Sequence, residues 1–325
     1  MPFGSLARKC LAALGTLLLA ASCGKPEGSE FAPDDWRSEI GTLKMAVEGD
    51  VADPEVARRW SGYSSYLERA LGLPVKTFQA TDYNGVIQAV SSGQVEFAQM
   101  GAGSYANIDA QIGDKAAPLF VIRQAEGNTG YYSAIIVAAD SPYRSLQDLK
   151  GKSIAFVDFN STSGYLYPRK KMRGEGIDPD THFSKSMLAG GATEATMALV
   201  NGQVDSAMIS AGGGTPETGF TTGSHLSLIR RGLIRADEVR IIWTAGPMPN
   251  SPIVIRADRP QEFIDLLRGA LAVVPYDEPE IWADIGQADG GSFAAVDRSF
   301  FSEIIAIRAE DIAGRRGLGG QGGAQ

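Results

Sequence analysis

Three consecutive hydroxyl residues, Ser161, Thr162 and Ser163, are the part of this chain whose residue types and spacing point most directly to chemistry. An apolar stretch before them, Ser153–Val157, predicts a strand, and a helix is predicted to begin directly after them. Free N–H groups at a helix start carry a partial positive charge, and hydroxyl groups add donors there without bulk. One of the three could simply cap the helix, but a cap uses only one hydroxyl. The run therefore indicates an anion-binding site that needs no lysine.

Composition excludes several classes of function. The chain has 325 residues, of which 44% are hydrophobic and 21% charged, as expected for a soluble protein of two average domains. A formal net charge of -8 argues against binding to nucleic acid or to anionic membrane surfaces. With His182, His225, Cys10 and Cys23 as its complete set of histidines and cysteines, the chain offers no Cys/His metal site and no nucleophilic pair. We expect no metal, no cofactor and no enzymatic activity.

The first 22 residues have the features of a signal peptide. Arg8 and Lys9 precede an apolar stretch, Cys10–Ala21, which is too short to span a bilayer. The segment that follows, LAASCG, resembles a bacterial lipobox, in which the cysteine is lipidated and becomes the first residue of the mature chain. The alternative is ordinary secretory cleavage beside an incidental cysteine. We favour lipidation of Cys23, because a lone cysteine directly after the apolar stretch has no other evident use.

The two ends of the mature chain are expected to lie outside the fold. Residues 24–38 are polar and contain Pro and Gly, so we assign 23–40 to a lipidated tether. Residues 314–325 are rich in glycine, so we assign 313–325 to a disordered tail.

Between these ends, predicted strands alternate with predicted helices. Such alternation implies parallel pairing and open α/β sheets that helices cover on both faces. The predicted strands are 43–47, 74–80, 95–101, 118–123, 133–139, 153–157, 186–189, 204–210, 240–244 and 252–257. The predicted helices are 54–71, 83–92, 104–112, one after 163, 193–200, 261–274 and 297–309, and only helices are expected beyond the last strand.

An internal similarity divides the chain into two lobes. Residues 83–105 and 192–214 share the order helix, Gly-Gln-Val-acid, strand and Gly-rich exit. We therefore predict two similar α/β lobes joined by two hinge strands, with 41–136 and 254–312 in lobe 1 and 137–253 in lobe 2.

The ligand site is expected where the strands end. Ligands of open α/β sheets bind at the carboxyl ends of the strands. The exits at 100–104, 159–163 and 210–214 should therefore face one cleft, which places Ser104 beside the hydroxyl run (Ser161, Thr162 and Ser163).

One segment is similar to a known family. Residues 130–168, GYYSAIIVAADSPYRSLQDLKGKSIAFVDFNSTSGYLYP, resemble the phosphonate- and phosphite-binding proteins that serve ABC importers, and a weaker resemblance runs from about 43 to 257. The resemblance implies a bilobal type 2 periplasmic binding protein that captures a small oxyanion between its lobes for an ABC permease. It further implies that the hydroxyl run holds the phosphonate oxygens and that Tyr83 and Tyr131 line the cleft. The alternatives are core packing for Tyr131 and surface cap packing for Tyr83.

The chain also departs from this family where aminoalkylphosphonate binders hold an amine. No histidine follows Ala189-Gly190, and small or neutral residues around Gly212 and Ser251 stand where those binders have carboxylates. A buried ammonium group needs such partners. We therefore expect a compact oxyanion without an amine, such as phosphite, phosphate or methylphosphonate, although Glu194 or another acid could restore the missing charge.

Two other functions on the same fold stay open at this stage. A periplasmic monomer of this kind could present its ligand state to a membrane histidine kinase instead of a permease, and the neighbouring genes would distinguish the two. An enzyme on this scaffold is the third option, and an assay for turnover of the bound ligand would reveal it.

Overall fold

The computed structural model describes residues 31–49, 54–78, 80, 82–286 and 291–321. The predicted signal peptide, Cys23 and the last four residues lie outside these ranges. Within them, no helix combines the length and the apolar character required to cross a membrane.

The first part of the chain builds lobe 1. Its elements are α1 (Trp36–Ile40), β1 (Leu43–Val47), α2 (Pro54–Leu71), β2 (Val75–Phe78), α3 (Tyr83–Ser91), β3 (Phe97–Gln99), α4 (Ala102–Ile112) and β4 (Ala116–Arg123). Strand β1 and helix α2 have the predicted bounds. Helix α3 begins where predicted because Asp82 accepts a hydrogen bond from the N–H of Gly85 and so caps it.

The middle of the chain builds lobe 2. Its elements are β5 (Gly130–Ala138), β6 (Ser153–Phe156), a π-helix (Thr162–Leu166), α5 (Tyr167–Gly174), α6 (Pro179–His182), β7 (Lys185–Leu188), α7 (Ala192–Val200), β8 (Ser206–Gly212), β9 (Thr222–Gly223), α8 (Ser224–Arg230) and β10 (Val239–Pro249). The chain then returns to lobe 1 through β11 (Pro252–Arg256), α9 (Gln261–Asp277), α10 (Pro279–Gly286), β12 (Ser292–Ala295) and α11 (Ser302–Gln321).

Each lobe contains one mixed sheet. The order in lobe 1 is β12-β4-β11-β3-β1-β2, and the order in lobe 2 is β10-β5-β8-β6-β7, with β9 beside β8. The central strands pair in parallel, β1 with β2 and β3, and β6 with β7 and β8. The remaining strands pair antiparallel, which lets the chain enter and leave each sheet. The alternation of strands and helices in the sequence thus correctly predicted that the central strands of both sheets pair in parallel.

Two short segments, 124–129 and 250–251, carry the chain between the sheets. The side-chain amide of Asn250 donates to the carbonyl of Ile122 at 2.8 Å, and its N–H donates to the carbonyl of Thr129 at 2.9 Å. Strand β5 pairs with β8 and β10, so Tyr131 belongs to lobe 2. The boundary between lobe 1 and lobe 2 that the sequence predicted after residue 136 therefore falls within β5, a strand of lobe 2.

Strand β12 corrects the expectation that only helices follow the last predicted strand. It pairs antiparallel with β4, and the ring of Phe293 packs on Phe120 and Trp282, with centroids 5.5 Å and 4.9 Å away. The four residues Ser292–Ala295 have no β pattern of their own. Tertiary pairing with the sheet edge forms this strand, which local sequence does not predict.

Both ends of the fold extend further than expected. Helix α1 falls within the predicted tether, and its buried Trp36 packs on Phe263 with ring centroids 5.5 Å apart. Helix α11 continues past the predicted end at 309 and into the predicted tail. The Arg315 guanidinium pairs with Asp311 at 3.0 Å and lies 4.1 Å from the ring centroid of Phe159. These contacts stabilise the additional turns.

Candidate functional site

The hydroxyl run forms the start of the π-helix. Ser161 is the capping residue, because its Oγ accepts the N–H of Gly164 at 3.1 Å, and its carbonyl accepts the N–H of Leu166 at 3.0 Å. Only glycine fits at 164, since a Cβ there would lie 2.3 Å from Cγ2 of Val157. A π-turn is rare and is often found at functional sites. Ser161 is thus a helix cap, as the simpler interpretation proposed, while its own O–H is still a donor.

The hydroxyl run is buried between the lobes. Ser161, Thr162 and Ser163 are 6%, 2% and 8% exposed. The hydroxyl of Ser133 donates to the carbonyl of Ser163 at 2.9 Å, which fixes the run on the sheet of lobe 2. From lobe 1, the N–H of Gly103 donates to Oγ1 of Thr162 at 2.8 Å. The run therefore faces the first turn of α4 across the interlobe boundary.

Both predicted tyrosines contact the hydroxyl run. Tyr83, at the start of α3, lies beside Ser161, and Tyr131, on β5, lies beside Ser163 and Thr162. Burial raises the pKa of both phenols, so each stays a neutral O–H donor. Tyr83 reaches the hydroxyl run from lobe 1 and Tyr131 reaches it from lobe 2.

Ser104 and the third predicted exit also border the site. Ser104 is fully buried in the first turn of α4, and its hydroxyl donates to Oε1 of Glu48. A Cβ at Gly212 would lie 3.5 Å from Cβ of Tyr131, so the exit of β8 adjoins the same region. The exits at 100–104 and 159–163 therefore meet, and Gly212 of the third exit adjoins Tyr131.

Sequence reasoning missed Glu48. This residue follows β1, and its Oε2 accepts the N–H of Gly101 at 2.6 Å. Burial raises the pKa of Glu48 to about 8, the hydrogen bonds from Ser104 and Gly101 oppose that rise, and the charge of Asp158 adds to it. The sequence signal that could have identified Glu48 was its position at the carboxyl end of a central parallel strand. Glu194, the acid that the sequence analysis named, is exposed on the first turn of α7.

A second set of missed residues joins the two lobes. Oδ1 of Asn160 accepts from Asn107 at 2.8 Å and from Arg308 at 3.2 Å, and its Nδ2 donates to Asn84 at 3.0 Å. Arg308 also donates to the carbonyls of Gly103, in lobe 1, and Phe159, in lobe 2. Asn160 and Arg308 are 4% and 3% exposed. The structure therefore shows the lobes in direct contact around the site, in a closed arrangement.

Comparison with known proteins agrees with this geometry. The family described as "ABC transporter, phosphonate, periplasmic substrate-binding protein" matches residues 46–299. The phosphate-import protein PhnD of Mycolicibacterium smegmatis is 27% identical over 269 residues, which are 80% of each chain. The phosphonates-binding periplasmic protein of Escherichia coli is 29% identical over 233 residues, which cover 70% of this chain and 64% of that protein.

A solved structure has the same fold. PhnD1 of Prochlorococcus marinus, determined in complex with methylphosphonate, superposes with a TM-score of 0.70 at 16% identity. The superposition covers 83% of this chain and 98% of the other. Since the family match extends over most of the sequence, the chain belongs to the periplasmic phosphonate-binding proteins of ABC transporters and is a binding subunit of an importer, not an enzyme.

Proposed function

We propose that this chain captures a compact phosphorus oxyanion without an amine and delivers it to an ABC permease. The observation that carries the proposal is the buried hydroxyl run at a helix start, which faces the first turn of α4 in the opposite lobe. Hydroxyl groups and the N–H groups of a helix start are suited to the several oxygens of phosphate, phosphite or a phosphonate. Tyr83 and Tyr131 add two neutral O–H donors from different lobes.

The absence of an amine in the ligand is inferred from the surrounding side chains. The residues around Gly212 and Ser251, where the family resemblance implies the amine-binding carboxylates, carry no charge. Glu194 is exposed and so provides no buried partner. An ammonium group held between closed lobes needs an ionised partner, and burial raises the pKa of Glu48, the carboxyl at the site, to about 8, which favours its neutral form. Two relatives support a small ligand. The Mycolicibacterium smegmatis protein is named a phosphate-import protein, and the Prochlorococcus marinus protein was solved in complex with methylphosphonate.

A calorimetric panel tests the proposed ligand class. Protein stripped of ligand by unfolding and refolding would be titrated with methylphosphonate, phosphite, phosphate and 2-aminoethylphosphonate. We expect one of the first three to bind most tightly. If 2-aminoethylphosphonate binds most tightly, the inference about the amine is wrong, and if none of the four binds, the ligand class is wrong.

We also propose that the mature protein is anchored through lipid on Cys23. The support is the lipobox-like segment LAASCG after an apolar stretch. Several acyl chains hold a protein firmly at a membrane, whereas a single short chain binds only marginally. Cys23→Ser should move the protein from the membrane fraction to the soluble periplasmic fraction. Equal membrane association of the variant and the wild type would show that lipid on this residue is not the anchor.

A further inference from the structure

Glu48 is a carboxyl group beside the hydroxyl groups and backbone N–H groups of the site. One of its oxygens accepts the N–H of Gly101, and the other accepts the hydroxyl of Ser104. A Cβ placed on Gly101 would lie 3.0 Å from Oε2 of Glu48 and 3.2 Å from Oγ1 of Thr162. The Glu48 carboxyl and the hydroxyl run are thus separated by about the width of one small group.

The charged and titratable groups around Glu48 do not neutralise it fully. The negative charge of Asp158, in the loop after β6, raises the pKa of Glu48, and the positive charge of Arg308 on α11 lowers it. Arg308 already donates to Asn160 and to the carbonyls of Gly103 and Phe159. Tyr83 on α3 and Tyr131 on β5 stay neutral because burial raises the pKa of their phenols. An ionised Glu48 would therefore meet an incoming oxyanion with repulsion.

We propose that Glu48 is a ligand-binding residue and that the oxyanion binds together with one proton, which Glu48 and an oxygen of the ligand share. This inference rests on the proposed function. A shared proton removes the repulsion and turns Glu48 into a partner, because the O–H between the two oxygens forms a charge-assisted hydrogen bond. Ser104, which the sequence placed in the site, then acts by orienting the Glu48 carboxyl.

The proposal makes the affinity depend on pH in one direction. In the closed arrangement burial raises the pKa of Glu48 to about 8, so the carboxyl of this arrangement is protonated below that pH and ionised above it. An adjacent anion raises a carboxyl pKa further, so binding above that pH must take up a proton. The affinity should then fall about tenfold for each pH unit above the pKa of the ligand-free group.

Glu48→Gln separates the pH dependence caused by Glu48 from any other, because the glutamine amide donates a hydrogen bond but does not titrate. Methylphosphonate would be titrated from about pH 7 to about pH 10 into wild type, Glu48→Gln and Glu96→Gln. Glu96 is a matched control, since it is a buried carboxyl with a raised pKa that pairs with Arg259 outside the site. The ratio of dissociation constants between wild type and Glu48→Gln should rise about tenfold per pH unit above about pH 8, and Glu96→Gln should follow wild type.

A second measurement needs no stable variant. Calorimetry of wild type in two buffers of different ionisation enthalpy, at about pH 9, should show uptake of about one proton per bound methylphosphonate. Equal pH slopes for wild type and Glu48→Gln, with no proton uptake, would overturn the proposal while leaving the oxyanion-binding function intact. Failure of methylphosphonate, phosphite and phosphate to bind at neutral pH would instead contradict the proposed function. Tighter binding of 2-aminoethylphosphonate that is lost in Glu48→Gln would show an ionised carboxylate paired with an ammonium group, and would also overturn the proposal.

Discussion

Tyr83 and Tyr131 bring one phenolic hydroxyl each to the hydroxyl run, and their removal should weaken binding. A hydrogen bond from a phenol to the oxyanion is charge-assisted and contributes about 1.5 to 3 kcal/mol, so Tyr83→Phe or Tyr131→Phe should weaken methylphosphonate binding roughly ten- to a hundredfold. Tyr63→Phe is the matched control, because the buried hydroxyl of Tyr63 has no hydrogen-bond partner among the described residues and lies in the core of lobe 1. Wild-type affinity in both site variants, measured by calorimetry, would remove these residues from the site.

Glu48 should also make the stability of the ligand-free protein depend on pH. Burial raises its pKa from 4.5 to about 8. A carboxyl with a raised folded-state pKa stabilises the fold fully below its unfolded pKa, and this contribution is lost as pH rises through the folded value. The melting temperature of wild type should therefore fall more than that of Glu48→Gln between about pH 4.5 and about pH 8. Parallel melting curves would mean that this carboxyl is not buried in the ligand-free state.

The sequence indicated the hydroxyl run as a candidate site but gave no indication of the carboxyl opposite it. Three adjacent hydroxyl groups are an unusual local pattern, whereas Glu48 is one of 38 acidic residues and has no distinguishing neighbours. Its role depends on Gly101 and Ser104, which lie more than fifty residues away in the sequence. Asn160 and Arg308 were missed for the same reason, since their partners come from other elements of the fold.

At the scale of elements, the two lobes meet where α4 approaches the π-helix. A Cβ on Gly103 would lie 2.4 Å from the carbonyl oxygen of Asn160 in the other lobe. Alanine itself suits a helix better than glycine by about 1 kcal/mol, so lobe 1 should not lose stability in Gly103→Ala. The added methyl group should oppose closure, and we expect methylphosphonate binding to weaken at least about tenfold, which corresponds to about 1.4 kcal/mol.

Gly269→Ala is the control for this experiment. Gly269 lies within α9, and a Cβ there has open space around it. Calorimetry and thermal unfolding of both variants separate closure from folding. Unchanged affinity in Gly103→Ala would mean that the ligand is bound without the approach of α4 to the π-helix.

Element prediction succeeded where local pattern and capping decide the structure. Strand β1 is a short apolar run and α3 starts at an aspartate cap, and both begin where the sequence indicated. Strand β12 and the final turns of α11 depend on β4 and Phe159, which are distant in sequence. The π-turn at Thr162–Leu166 likewise depends on packing against Val157.

At the scale of the whole molecule, ligand binding should be coupled to closure of the two lobes. Tyr83, Gly103 and Arg308 reach the site from lobe 1, while the hydroxyl run belongs to lobe 2. The short segments 124–129 and 250–251 connect the lobes and are the place for a hinge. Solution scattering of the stripped protein should show a smaller radius of gyration when saturating methylphosphonate is added. An unchanged radius at saturation would argue against a clamp.

The most direct test of the account is a calorimetric titration of methylphosphonate into stripped wild type and into a variant with Ser161→Ala, Thr162→Ala and Ser163→Ala combined. A charge-assisted hydrogen bond is worth about 1.5 to 3 kcal/mol, so even one lost hydroxyl should weaken binding roughly ten- to a hundredfold, although backbone donors remain. Circular dichroism would establish that the variant is folded. We predict strong binding by wild type and a loss of at least about tenfold in the variant. A folded variant that binds with wild-type affinity would contradict the assignment of the hydroxyl run as the oxyanion site.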